Sequence, residues 1–348
     1  MRCAITMVIA IFVLLTPASA TPTRLGEPTS PEAALRWMSS YRAKPDPAAV
    51  PAIVRTLSRL GGFKDPEAAG TYVGFIAGVI GANPGKAEEL IGKMLPLPDE
   101  DQWIIVRAIA YSGLPDWKAL LAKFAERMPA RKVMIDKVLA NKLPTLWQPM
   151  APDQRPSPWA TVGDYVMFNR LTGKEKRKDV VLDPTAELLD TFWGYYFATG
   201  SARPISRIVA MLPWSKEDES IDKLTLGSMA KYTLAANAAR DAELLAMLKR
   251  TREHQSEAVV KILDQVIEAA ETVEAPRIRK QALAAIEELK RKGPGSRRNV
   301  SWWGQLGQGA LAVGCIAAAA TGHIELGLPC VVTGGVSSAA LAFWEKQQ

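Results

Sequence analysis

Apolar residues recur at helical spacing through most of the chain, and the recurrences come in pairs separated by proline, glycine or aspartate. The clearest pair lies in Asp183–Trp214. Asp183 followed by Pro184 reads as an N-cap with proline at the first helical position, where the missing N–H costs nothing. Leu188, Leu189, Phe192, Tyr195, Tyr196 and Thr199 then recur at helical spacing, and Gly200 is placed to end the helix in a left-handed cap. The partner helix begins near Pro204, carries Ile205, Ile208, Val209 and Leu212 on one stripe, and stops at Pro213. The rings at Phe192, Trp193, Tyr195, Tyr196 and Phe197 suit packing between adjacent helices. Exposed, the rings of Trp193, Tyr195 and Tyr196 would form with Trp159 a candidate interaction surface.

The same pattern fills both flanks. Before this hairpin, Pro31–Ala43 pairs with Pro47–Leu60, Pro66–Ala82 with Gly85–Leu95, and Asp99–Ser112 with Asp116–Met128, followed by a short helix over Arg131–Asn141. The pair starts fall 33 to 35 residues apart. After the hairpin, Ile221–Asn237 pairs with Ala242–Arg250, and Glu257–Ala270 with Pro276–Lys292; Glu257 and Lys261 stand one turn apart as a surface ion pair. The period resembles that of tetratricopeptide and HEAT-type arrays, without the Trp-Leu-Gly-Tyr signature of the former. The expected fold class is therefore all-α: stacked helical hairpins, each burying its apolar face on the next, and an apolar C-terminal hairpin. The division that follows is 1–20, 21–142, 143–182, 183–292 and 293–348.

Segment 143–182 breaks the period. It holds Pro144, Pro149, Pro152, Pro156 and Pro158, four aromatic residues (Trp147, Trp159, Tyr165 and Phe168) and the charged run Lys174–Asp179. The rings fit a connection pinned to the helices, or a strap that binds a ligand.

The two ends carry addressing information. Arg2 precedes the apolar run Ala4–Leu15, Pro17 breaks it, and Ala18-Ser19-Ala20 matches an export-signal cleavage site between Ala20 and Thr21. The expected location is outside the cytoplasm: in a bacterium, the periplasm or cell envelope, with the C-terminal hairpin as a membrane anchor. At the other end, Gly304–Thr321 and Leu326–Phe343 are two weakly polar runs of 18 residues each. As helices each would be about 27 Å long, near a bilayer's hydrocarbon thickness. Arg297, Arg298, Trp302, Trp303 and Trp344 would mark the membrane interface, and lipid contact would run through 290–348. Small residues recur every fourth position in both runs, as at closely packed helices. Cys315 and Cys330 are a candidate disulfide in that hairpin or two small buried residues. Basic flanks prefer the cytoplasmic side, so an exported body sets the charge at odds with this topology.

Charge narrows the partners. Of 43 basic and 36 acidic side chains, eight basic and two acidic ones lie in Pro276–Arg298; apart from these and Arg2, the chain carries 34 of each. A neutral body with one basic run beside an apolar tail points away from nucleic acid and toward a lipid surface. The two histidines are too few for a histidine metal centre, and no phosphate loop, nucleophile elbow or zinc-protease motif occurs. No cofactor is expected. The reading is a non-enzymatic, membrane-associated scaffold for an unknown protein partner. The alternative makes the tail a membrane-inserting, pore-like element.

Overall fold

A computed structural model describes residues 28–150, 180–217 and 220–272, together with residue 284. Among the described residues the fold is all-α, with twelve helices and no sheet. The first seven are α1 (Pro31–Ser40), α2 (Val50–Arg59), α3 (Gly70–Ala82), α4 (Ala87–Met94), α5 (Trp103–Tyr111), α6 (Trp117–Phe124) and α7 (Lys132–Leu139). The other five are α8 (Ala186–Thr199), α9 (Ala202–Val209), α10 (Ile221–Ala238), α11 (Ala242–Arg252) and α12 (Glu257–Glu271).

Short polar side chains set where these helices begin. The Ser30 hydroxyl accepts from the Ala33 N–H at 3.2 Å with Pro31 next in line, which starts α1 where the sequence predicts it. At α8 the expected Asp183 cap gives way to Thr185, whose hydroxyl accepts from the Leu188 N–H at 3.1 Å, so the helix begins two residues late. Gly200 closes α8 at φ +66°, its N–H reaching the Tyr196 carbonyl at 2.8 Å. Ser201 then caps α9 by accepting from the Arg203 N–H at 3.2 Å, which puts Pro204 inside the first turn and not before it. Pro213 does not stop the chain, which continues as a 3-10 turn over Leu212–Lys216. Several N-terminal helices also start later than their proline or aspartate signals. Asp65, for example, takes the Glu67 N–H in a turn at 3.0 Å, and α3 starts only at Gly70.

Alternate helices lie side by side in the first half: α2 against α4, and α3 against α5, which in turn meets α7. The most extensive packing in the molecule is between α3 and α8. Every residue of α3 from Gly70 to Ile80 is buried, as an all-round apolar helix requires. Gly70, Gly74 and Gly78 form one row facing α8. A Cβ on Gly74 would stand 1.9 Å from the Thr191 carbonyl oxygen, and one on Gly194 of α8 would stand 2.1 Å from that of Thr71. The two backbones therefore touch, each through a glycine of its own. Trp193 of α8 donates its indole N–H to Thr233 of α10 at 3.0 Å, which fixes the next layer. One apolar core runs from Ala34 to Ala270, on both sides of segment 143–182. The Glu257–Lys261 pair forms on α12 at 2.8 Å, on an exposed surface.

Candidate functional site

Trp193 and Tyr196 are fully buried, so these two rings of α8 are internal packing, the arrangement that their helical spacing favoured. Phe192 and Phe197 are buried with them, because α8 is covered by α3 on one side and by α10 on another. Tyr195 is half-buried, and its hydroxyl donates to the Ser112 carbonyl at 3.0 Å. Trp159, Arg297, Arg298, Trp302, Trp303, Trp344, Cys315, Cys330 and the Ala20–Thr21 junction lie outside the described residues, as does the tail as a whole. Among the described residues no helix is long and apolar enough to cross a membrane, and no group of His, Cys, Asp and Glu is arranged to hold a metal ion.

Three clusters of polar side chains among the described residues join distant parts of the chain. In the first, Arg42, just after α1, pairs with Asp241 and also reaches Glu243 at 3.1 Å. Its guanidinium lies 4.5 Å from the centre of the Tyr196 ring, and the Tyr196 hydroxyl donates to Asp241 Oδ2 at 2.7 Å. The other oxygen of Asp241 accepts from the Glu243 and Leu244 N–H groups, each at 3.1 Å, and so caps α11. One carboxylate thus ties three helices. Burial, reinforced by the bond to Asp241, pushes the Tyr196 hydroxyl well above its ordinary value and keeps it a proton donor. In the second, Arg107 of α5 meets Glu187 in the first turn of α8 at 2.8 Å. Burial raises the Glu187 carboxyl above its ordinary value, and Arg107 opposes the rise. Both clusters are joints between the two halves of the chain.

The third has a different character. Trp147 packs edge-on against the Tyr195 ring, with centroids 4.9 Å apart. Arg203 lies 4.1 Å from the centre of the Trp147 ring, and Arg207 donates to the Trp147 carbonyl at 3.3 Å. Neither arginine has a carboxylate partner among the described residues. The i, i+4 spacing of these two arginines was visible in the sequence; their convergence on Trp147 was not.

Two open grooves lie among the described residues. One of about 450 Å³ lies between α4 and α6, and its charges are spent within the chain: Glu88 on Lys123 at 2.6 Å, and Arg127 on the Gly92 carbonyl at 3.3 Å. The other, of about 300 Å³, runs along α7 between Ala130, Arg131, Val133, Met134, Lys137 and Leu143. Val133 is 69% exposed, the most of any large apolar side chain described. No protein family model matches the chain, and neither does a curated protein or a solved structure.

Proposed function

We propose that the chain is an exported helical-repeat protein that acts as a non-enzymatic interaction scaffold, associated with the membrane through 290–348. The side-by-side order of α2 with α4 and of α3 with α5 and α7 supports stacked hairpins in the first half. In such arrays the inner row of helices commonly forms the binding surface. Here α8 of the same chain occupies the α3 face of that row, so the partner surface falls elsewhere. The observation that carries the reading is α7, the last helix of the stack, which no further hairpin covers among the described residues. Its groove is lined by Val133, Met134 and Leu143 and flanked by Lys137 and by Arg131, whose guanidinium also holds the Asp99 carbonyl at 2.8 Å; it takes an amphipathic helix with acidic flanks from a partner protein.

Photo-crosslinking in cells, with the reactive group in place of Val133 and, as control, of Lys44, tests the surface. The expected result is one discrete adduct at 133, lost on K137E and absent at 44. Failure to form any adduct at 133 removes α7 as the surface. Membrane association is tested separately. Full-length protein and a chain ended after Lys292 are fractionated through salt and alkaline washes. Retention of the full-length form alone supports the tail; equal behaviour of the two refutes it.

A further inference from the structure

Three features of α9 are unfavourable as they stand. Arg203 and Arg207 lie one turn apart on one face, where like charges repel. Both belong to a helix of eight residues whose N-cap is Ser201, so Arg203 sits beside the positive end of the helix dipole. Arg207 is half-buried, and burial together with the neighbouring Arg203 charge holds its guanidinium below the ordinary value. Each of these costs is relieved by one event, the arrival of an anion.

The surroundings hold the two side chains ready. Arg203 is stacked on the Trp147 ring at 4.1 Å, and a guanidinium on an indole face keeps its N–H edge outward. Arg207 spends one donor on the Trp147 carbonyl at 3.3 Å and keeps the rest of its fork. Trp147 itself is braced by Tyr195, whose hydroxyl is fixed on the Ser112 carbonyl at 3.0 Å. A carboxylate fills one guanidinium fork with its two oxygens; a phosphate group has oxygens enough for two.

We propose that Arg203 and Arg207, set on Trp147, form a binding site for a phosphate group, carried either by a free phosphate compound or by a lipid headgroup. The site is independent of the groove on α7 and of the tail.

The test uses the full-length chain. Inorganic phosphate is titrated by calorimetry, with chloride at equal ionic strength as reference. Vesicles of phosphatidylcholine with and without phosphatidylglycerol are then offered to the same proteins. The variants are R203Q, R207Q and the pair R203Q/R207Q; R36Q/K44Q removes two exposed cations elsewhere as control. Saturable phosphate binding that falls about tenfold in each single variant and is unchanged in R36Q/K44Q is the expected result. Vesicle binding that R203Q/R207Q weakens and R36Q/K44Q does not assigns the lipid source. Vesicle binding equal in both pairs, with phosphate binding lost only in the first, assigns the free compound. If phosphate does not bind saturably and both pairs bind vesicles alike, the proposal is overturned. Equal loss in R36Q/K44Q overturns it as well, since diffuse charge then explains the binding. Circular dichroism checks the fold of each variant, and R203Q, altered at an exposed side chain, carries the test should R207Q unfold.

Discussion

Tyr41 brings a hydroxyl into the core beside Trp37 and Phe75, and that oxygen has no hydrogen-bond partner. A buried hydroxyl without a partner costs desolvation and returns nothing, so Y41F should leave stability unchanged or raise it by up to about 1 kcal/mol in urea unfolding. The same burial, aided by the Asp46 charge, pushes the Tyr41 hydroxyl up to about 12 from 10.0. The folded value is the higher one, so the stabilisation linked to this proton is complete below 10 and is lost as pH rises through about 12. The urea midpoint should fall across that interval, and fall less in Y41F; an identical decline in both proteins would exclude Tyr41 as a source. Asp241 is the contrasting residue, because all its capacity is in use: two cap N–H groups, the Tyr196 hydroxyl and Arg42. D241A should cost about 2–3 kcal/mol, and D241N less, since an amide oxygen still caps α11. A cost for D241A below that of an ordinary surface substitution would show that the Arg42 joint contributes nothing.

Among the elements, α3 and α8 depend on absent side chains. Adding one methyl group at Gly74 or Gly194 puts it 1.9 or 2.1 Å from a carbonyl oxygen of the facing helix, and neither backbone can yield without separating the pair. G74A and G194A should each cost about 3 kcal/mol or more. G92A on α4 is the internal control: its new Cβ would meet only the Arg127 guanidinium at 3.6 Å, so helix propensity should dominate and stability rise by up to about 1 kcal/mol. Equal unfolding midpoints for G74A and G92A would mean the helices are not in contact. The glycine row at 70, 74 and 78 was legible in the sequence, but so was an apolar stripe of Val73, Ile76, Ala77 and Ile80 on the same helix. Helical periodicity names a face only when one side is polar, and α3 has no polar side. The small-residue stripes of the tail belong to the same class of pattern. Since α3 uses such a row inside a core, a row of this kind does not by itself call for lipid.

For the whole molecule, most helices could be read from local signals, because caps and 3.6-residue spacing are short-range. Pro31 at the start of α1, Gly200 at the end of α8 and the buried stripe of Ile205, Ile208 and Val209 on α9 all stand where the sequence predicts them, while Leu212, equally buried, lies in the 3-10 turn beyond α9. The meeting of α3 with α8 was not readable, because no local rule selects a partner from beyond segment 143–182. Trp193 and Tyr196 are buried on other sides of α8, against Thr233 and the Asp241–Arg42 pair, as the packing that helical spacing favoured requires. The meeting of α3 with α8 also bears on how the chain folds. Residues 28–150 carry α3 with one face shaped for α8, while Arg42, Arg107 and the Ser112 carbonyl have their partners in residues 180–272. A fragment 21–150 made alone should therefore expose the glycine face of α3 and aggregate or bind a hydrophobic dye. Made together with a fragment 180–292, it should elute as one complex. The intact chain should unfold in a single transition seen alike by circular dichroism and by tryptophan fluorescence. If instead each fragment is soluble alone and unfolds at the midpoint of the intact protein, the halves are independent domains, and the α3–α8 contact contributes little to stability. Where the two fragments do co-elute, loss of co-elution in G74A is the finer measure, since that substitution acts on the contact and on little else.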